Sequence, residues 1–283
     1  EELLTPEQKK AYDEIVATAL DEYRANNCYF LSGSGGCGKT FVYHAIYHRL
    51  VKEGLAVEMV THTGIAATLL INGTTAHRKF MLKLNTQEND SSNMKLESGA
   101  AAMLKKIDVF IYDEATMSDK NMFHAIDRLL RDITKRDQPF GGKLMLLGGD
   151  WKQLLPVDAG HTAVGAVNLT LKKSDLWKHF KTLTLTHNMR ASGDSNYAAF
   201  LERIGNGFDG NRRDTRITIG HPDLKEIPCK TPDEVIEFIY GGDKLSDVEC
   251  LKKSCLLATL NSEVHEINNK VLDRVRGFAK TYT

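Results

Sequence analysis

Short, uninterrupted apolar runs alternate along this chain with stretches whose apolar residues recur every third or fourth position, and that alternation sets the expected fold. Cys28-Tyr29-Phe30-Leu31 reads as a buried strand, after which Phe41, Val42, Ala45, Ile46 and Leu50 share one face of a helix. Ala56 to Val60 forms a second expected strand and Ile107 to Tyr112 a third. A helix with Met122, Ile126, Leu129, Leu130 and Ile133 on its apolar face follows, then a turn at Gln138-Pro139-Phe140-Gly141-Gly142. A fourth strand is expected from Leu144 to Leu147 and a fifth from Leu183 to Leu185. Strands apolar at consecutive positions are buried on both faces, so the pattern predicts an α/β fold with a parallel sheet covered by helices on both sides.

Polar residues punctuate these elements. Thr5-Pro6-Glu7-Gln8 opens a helix expected to run to about Tyr23, with Thr5 as N-cap, Pro6 at the first helical position and Gln8 completing a capping box. Asn85 to Ser98 is polar and reads as a surface loop. Residues 205–222, rich in Gly, Asn, Asp and Arg, read as a loop or short hairpin. Thr231-Pro232-Asp233-Glu234 repeats the capping signature before a helix through Ile239. Cys255 to Ala258 is then a predicted strand, and Val264, Ile267, Val271 and Val275 one face of a further helix, the beginning of a second α/β unit.

A length of 283 residues suits about two domains. Hydrophobic residues make up 42% and charged residues 26%, the proportions of an ordinary globular protein. No run is apolar enough to cross a membrane and Glu1-Glu2 does not open a signal peptide, so an intracellular protein is expected, in the nucleus or mitochondrion if eukaryotic. The formal net charge is zero, so any nucleic-acid contact must come from a local basic groove. The five cysteines include no C-x-x-C pair, which indicates neither a disulfide framework nor a zinc site.

Chemistry enters at Gly33-Ser34-Gly35-Gly36-Cys37-Gly38-Lys39-Thr40, which satisfies G-x-x-x-x-G-K-[ST] between a predicted strand and a predicted helix. Glycines allow backbone N–H groups to converge on phosphate, the helix N-terminus favours negative charge, Lys39 reaches the β- and γ-phosphates, and Thr40 can ligate Mg²⁺. ATP with Mg²⁺ is the expected ligand pair. Asp113 and Glu114 end the third strand, where a carboxylate pair faces the nucleotide: Asp113 for the metal, Glu114 for the attacking water. Gln153, in Gly149-Asp150-Trp151-Lys152-Gln153-Leu154-Leu155-Pro156, is placed to sense the γ-phosphate. Arg190, in Asn188-Met189-Arg190, is placed as an arginine finger across a domain cleft.

These motifs occur in order with Thr63-Gly64-Ile65-Ala66-Ala67, Gly73-Thr74-Thr75-Ala76-His77, Pro139-Phe140-Gly141-Gly142 and Ile267-Asn268-Asn269-Lys270. The set resembles the Pif family of superfamily-one DNA helicases, most closely the helicase part of Helitron-type transposons and their host relatives. The resemblance implies a phosphate-loop NTPase with a RecA-like first domain over residues 1–186 and an incomplete second RecA-like domain over 187–283. It implies a monomeric, ATP-driven 5′-to-3′ motor on single-stranded and forked duplex DNA, serving repair, recombination or telomere maintenance. It also implies that Gln8 reads adenine and that Thr63, Gly64, Thr74 and His77 touch the single strand.

The chain departs from that pattern in places. Thr61-His62 replaces the apolar or proline-containing pair usual before Thr-Gly-Ile-Ala-Ala, Trp151 stands where Phe is common, and Ala115-Thr116-Met117 replaces the commoner Ile-Ser-Met. The family's closing motifs, a His-Lys-x-Gln-Gly run and a second arginine, have no counterpart before Thr283, so a fragment or truncated product is expected. The alternative expectation is a decayed, transposon-derived protein that binds nucleotide and single-stranded DNA without unwinding.

Overall fold

A computed structural model describes residues 3–158, 160, 162–206 and 229–275. The chain divides into two compact units, Glu1–Thr218 and Ile219–Thr283. In the first, α1 (Pro6–Leu20) leads into β1 (Cys28–Gly33), α2 (Lys39–Lys52) and β2 (Val57–Thr61). The short helix α3 (Gly64–Ala67), the two-residue β3 (Thr74–Thr75) and α4 (Ala76–Lys79) follow, then α5 (Gly99–Lys106), β4 (Val109–Asp113), α6 (Lys120–Thr134) and β5 (Leu144–Gly149). The unit continues with α7 (Ala163–Leu169), β6 (Lys181–Leu185) and α8 (Ser195–Asn206). The six strands form one parallel sheet in the order β3-β2-β4-β5-β1-β6.

Neighbouring side chains within each strand enter opposite cores, which is why the strands read as unbroken apolar runs. Phe30, Phe110, Tyr112, Met145 and Leu147 pack with α5, α6 and Phe180 on one face. Tyr29, Leu31, Val109, Ile111, Leu144 and Leu146 pack with α1 and α2 on the other. Trp151 stacks on Phe30 with ring centroids 5.3 Å apart and meets Trp177 edge-on.

α1 stops at Leu20, not Tyr23: Asp21 takes an extended conformation and ends the hydrogen-bond ladder. α5, α8 and β3 add to the elements expected. In the second unit α9 (Pro232–Tyr240), α10 (Val248–Lys253) and α11 (Asn261–Leu272) are described, tied by Asp233 to Lys270 and Arg274. Cys255 to Ala258 is irregular rather than a strand, because no neighbouring strand among the described residues supplies backbone partners for it. The expected loop over 205–222 lies outside the described residues beyond Asn206. Among the described residues, no helix is long and apolar enough to cross a membrane.

Candidate nucleotide-binding site

Four adjacent strands, β4, β5, β1 and β6, deliver their carboxyl ends to one rim of the sheet, and the predicted chemistry gathers there. Gly33 ends β1, Ser34 to Gly38 form the loop, and Lys39 and Thr40 open α2. Gly36 and Gly38 adopt left-handed backbone conformations with φ of 92° and 80°. A β-carbon at either would also collide: 2.6 Å from Asn188 Oδ1 at Gly36 and 2.5 Å from Gln8 Nε2 at Gly38. Only glycine satisfies both demands. Lys39 Nζ donates to the Gly33 carbonyl at 2.6 Å, folding the ammonium over the loop. Cys37 is buried and burial pushes its thiol pKa up, so it packs the loop as an apolar residue.

Asp113 is 8% exposed. Its Oδ1 is buried with no hydrogen-bond partner, as is Oγ1 of Thr61, which pairs in register with it on β2. A buried, orphaned carboxylate oxygen close to Lys39 and the opening of α2 fits a divalent cation held with Thr40. Burial raises the pKa of Asp113, while the backbone N–H of Glu114 and then Lys39 oppose the rise. Glu114 sits at φ 54°, a left-handed conformation rare for a residue with a side chain. Its carboxyl is also raised, first by burial and then by Asp113, which suits a group that must accept a proton near neutral pH.

Gln153 reaches the site through Asp150. Asp150 Oδ2 accepts from Gly35 N at 3.1 Å and from Gln153 Nε2 at 2.8 Å, and Oδ1 accepts from Lys152 N. Gln8 spends both ends of its amide locally: Oε1 accepts from Thr5 N at 3.0 Å, completing the capping box, and Nε2 donates to the Cys37 carbonyl at 3.0 Å. The capping expectation thus holds, and the same side chain braces the phosphate loop. After β6, Glu7 accepts from the backbone and hydroxyl of Thr186. Met189 N donates to the Gly36 carbonyl at 3.0 Å, so the segment carrying Arg190 lies against the loop.

Thr63, Gly64, Thr74 and His77 occupy the same rim near the opposite sheet edge. Thr63 caps α3, Gly64 has open space around it, Thr74 pairs with Val60, and His77 lies in α4. They lie away from the phosphate loop in sequence and in the sheet: β4 and β5 stand between β2 and β1. Asp150 and Glu7 are contacts around the phosphate loop that sequence reasoning passed over. Asp150 lay inside a recognised motif, but an acid after two glycines reads equally as a turn residue.

A parallel sheet of this order, with a phosphate loop after β1 and an acidic pair at the end of β4, defines a RecA-like fold of the phosphate-loop class. The profile of the PIF1-like helicase family matches residues 3–213, and the chain belongs to that family. It is 34% identical over 143 residues to the ATP-dependent DNA helicase Pif1 of a Psychrobacter species, covering 50% of this chain and 22% of the relative. It is 32% identical over 196 residues to the ATP-dependent DNA helicase RRM3 of Saccharomyces cerevisiae, covering 66% and 25%. A crystal structure of Bacteroides Pif1 bound to single-stranded DNA superposes with a TM-score of 0.59 at 26% identity, over 72% of this chain and 46% of that one. The chain therefore spans a quarter or less of the two curated relatives.

Proposed function

We propose that this chain is the ATP-hydrolysing part of a 5′-to-3′ DNA helicase, and that its later residues open a second RecA-like domain. The observation that carries the reading is the buried, unpartnered Oδ1 of Asp113 next to Glu114, on the strand beside the one that delivers Asp150 to the phosphate loop. Lys39 releases Gly33 to neutralise the β- and γ-phosphates. Thr40 and Asp113 would hold Mg²⁺, which would supply positive charge to offset that of the phosphates. Glu114 orients the attacking water and takes its proton. Gln153, carried by Asp150, hydrogen-bonds the γ-phosphate and reports its loss, and Arg190 stabilises charge on the transferring group. Gln8 reads adenine, as the family resemblance implies, once its amide leaves the Cys37 carbonyl. Thr63, Gly64, Thr74 and His77 hold single-stranded DNA with little regard to base sequence.

Support for the DNA partner comes from the family and from the relative solved with single-stranded DNA bound. The test is ATP hydrolysis with and without a single-stranded oligonucleotide, in the full-length protein that carries this chain and in its Lys39→Ala variant, followed by strand displacement on substrates with a 5′ or a 3′ tail. Stimulation that vanishes with Lys39→Ala, and unwinding from the 5′ tail, are expected. Nucleotide binding without stimulation would instead identify a binding protein that no longer moves on DNA.

A further inference from the structure

We propose that His62 is a positioning residue that couples strand contact at the Thr63–His77 rim to the carboxylates of the hydrolysis site. The proposal rests on the reading above that this rim meets single-stranded DNA. His62 directly precedes Thr63, and its ring lies 5.9 Å from that of His77 in an edge-to-face arrangement. Its other side faces inward, where Nδ1 is 3.0 Å from Oγ of Ser118. Ser118 is fully buried and its Oγ is 2.7 Å from the hydroxyl of Tyr112, also fully buried.

The two hydroxyl residues of this short chain flank the carboxylate pair in sequence. Tyr112 immediately precedes Asp113 on β4, and Ser118 closes the single 3₁₀ turn, Ala115–Met117, that Glu114 opens in its left-handed conformation. Ser118 N is fastened to the Ala115 carbonyl at 3.2 Å, so movement of Ser118 moves the turn. One donor order satisfies every group: Tyr112 O–H to Ser118, and Ser118 O–H to Nδ1 of a neutral imidazole. Burial, and then His77, lower the His62 pKa and keep the ring neutral for that role.

A strand seated on Thr63, Gly64 and His77 displaces the backbone and ring of His62, and among the described residues His62 is the side chain that hydrogen-bonds the buried hydroxyl pair flanking Asp113 and Glu114. Buried polar contacts of this kind have discrete arrangements, so the shift is passed on rather than absorbed.

The experiment measures ATP turnover without DNA and across a titration of oligothymidylate, for the unsubstituted protein, His62→Phe, Ser118→Ala and His62→Asn. His62→Phe keeps the ring and removes the hydrogen bond; the amide of His62→Asn can occupy the Nδ1 position. Expected for His62→Phe and Ser118→Ala is DNA-independent turnover within about twofold, an unchanged half-stimulating DNA concentration, and a stimulated rate lower by about fivefold to tenfold. His62→Asn restores most of the stimulation. Full stimulation in His62→Phe, or a proportional loss of DNA-independent turnover, overturns the proposal while leaving the strand reading intact. An unsubstituted protein that DNA does not stimulate overturns the strand reading first, and the proposal with it.

Discussion

Asp150 holds the phosphate loop by the backbone N–H of Gly35, 3.1 Å from its Oδ2. The same oxygen accepts from Gln153, so the residue proposed to sense the γ-phosphate is tethered to the loop proposed to bind it. Asp150→Ala is expected to lower kcat about tenfold with a smaller change in KM, because the γ-phosphate contact loses its alignment rather than its chemistry. Steady-state kinetics check this. In a cycle with Gln153→Ala, the double variant should be no slower than the slower single, as for two residues acting through one contact.

Asp113 sets function against stability. Burial holds its carboxyl above the ordinary Asp value of 3.8, so the folded chain retains that proton to higher pH than the unfolded chain. The ionised group therefore opposes folding once the pH rises through that range. Asp113→Asn should melt several degrees above the unsubstituted protein at pH 7, and the gap should close as the pH falls to 3.8 and below. Its Mg²⁺-dependent turnover should fall by at least about 100-fold. Melting curves across pH, with and without Mg²⁺ and nucleotide, test both halves; equal melting temperatures at pH 7 would refute the first.

The two contacts of Gln8 can be separated by one atom. Gln8→Glu keeps the oxygen that caps Thr5 but replaces the amide that donates to Cys37 with a second acceptor. Helix stability should survive, whereas Gln8→Ala should cost about 1 kcal/mol from the lost cap. Nucleotide affinity should drop in both. Denaturant melts beside nucleotide titrations distinguish the capping contribution from the bracing one.

Gly148 is required by Tyr43. A β-carbon there would run into the hydroxyl of Tyr43, which is fully buried between α2 and the sheet. That hydroxyl lies near Asp113 without a well-formed hydrogen bond. Gly148→Ala should destabilise by about 2–4 kcal/mol, and adding Tyr43→Phe should recover part of it by clearing the nearest atom. A double-mutant cycle on unfolding free energy measures the recovery.

Local signals in the sequence were reliable where the physics was local. The phosphate loop, the Thr5 cap and the consecutive apolar strands each announce themselves within a few residues. α5 escaped because only Ala101 and Leu104 of Gly99–Lys106 are buried, too few to draw a stripe, and β3 is two residues long. Cys255 to Ala258 looked like a strand for the reason β1 did, yet Leu257 is 91% exposed: an apolar run does not say whether a neighbour waits for it. Asp150 and Glu7 were illegible for a different reason. Their partners lie 115 and 179 residues away, and nothing near either residue marks the distance.

The clasp of Glu7 on Thr186 also orders events in time. Synthesis delivers the phosphate-loop motif before β6, which flanks β1 on one side, and before the segment laid against Gly36, with β2, β3, β4 and β5 made in between. At ordinary synthesis rates that interval is about 10–30 s. During it the motif is complete in sequence while β1 borders an open edge. The signature of the site is thus complete in sequence well before Thr186, 179 residues after Glu7, can close against it.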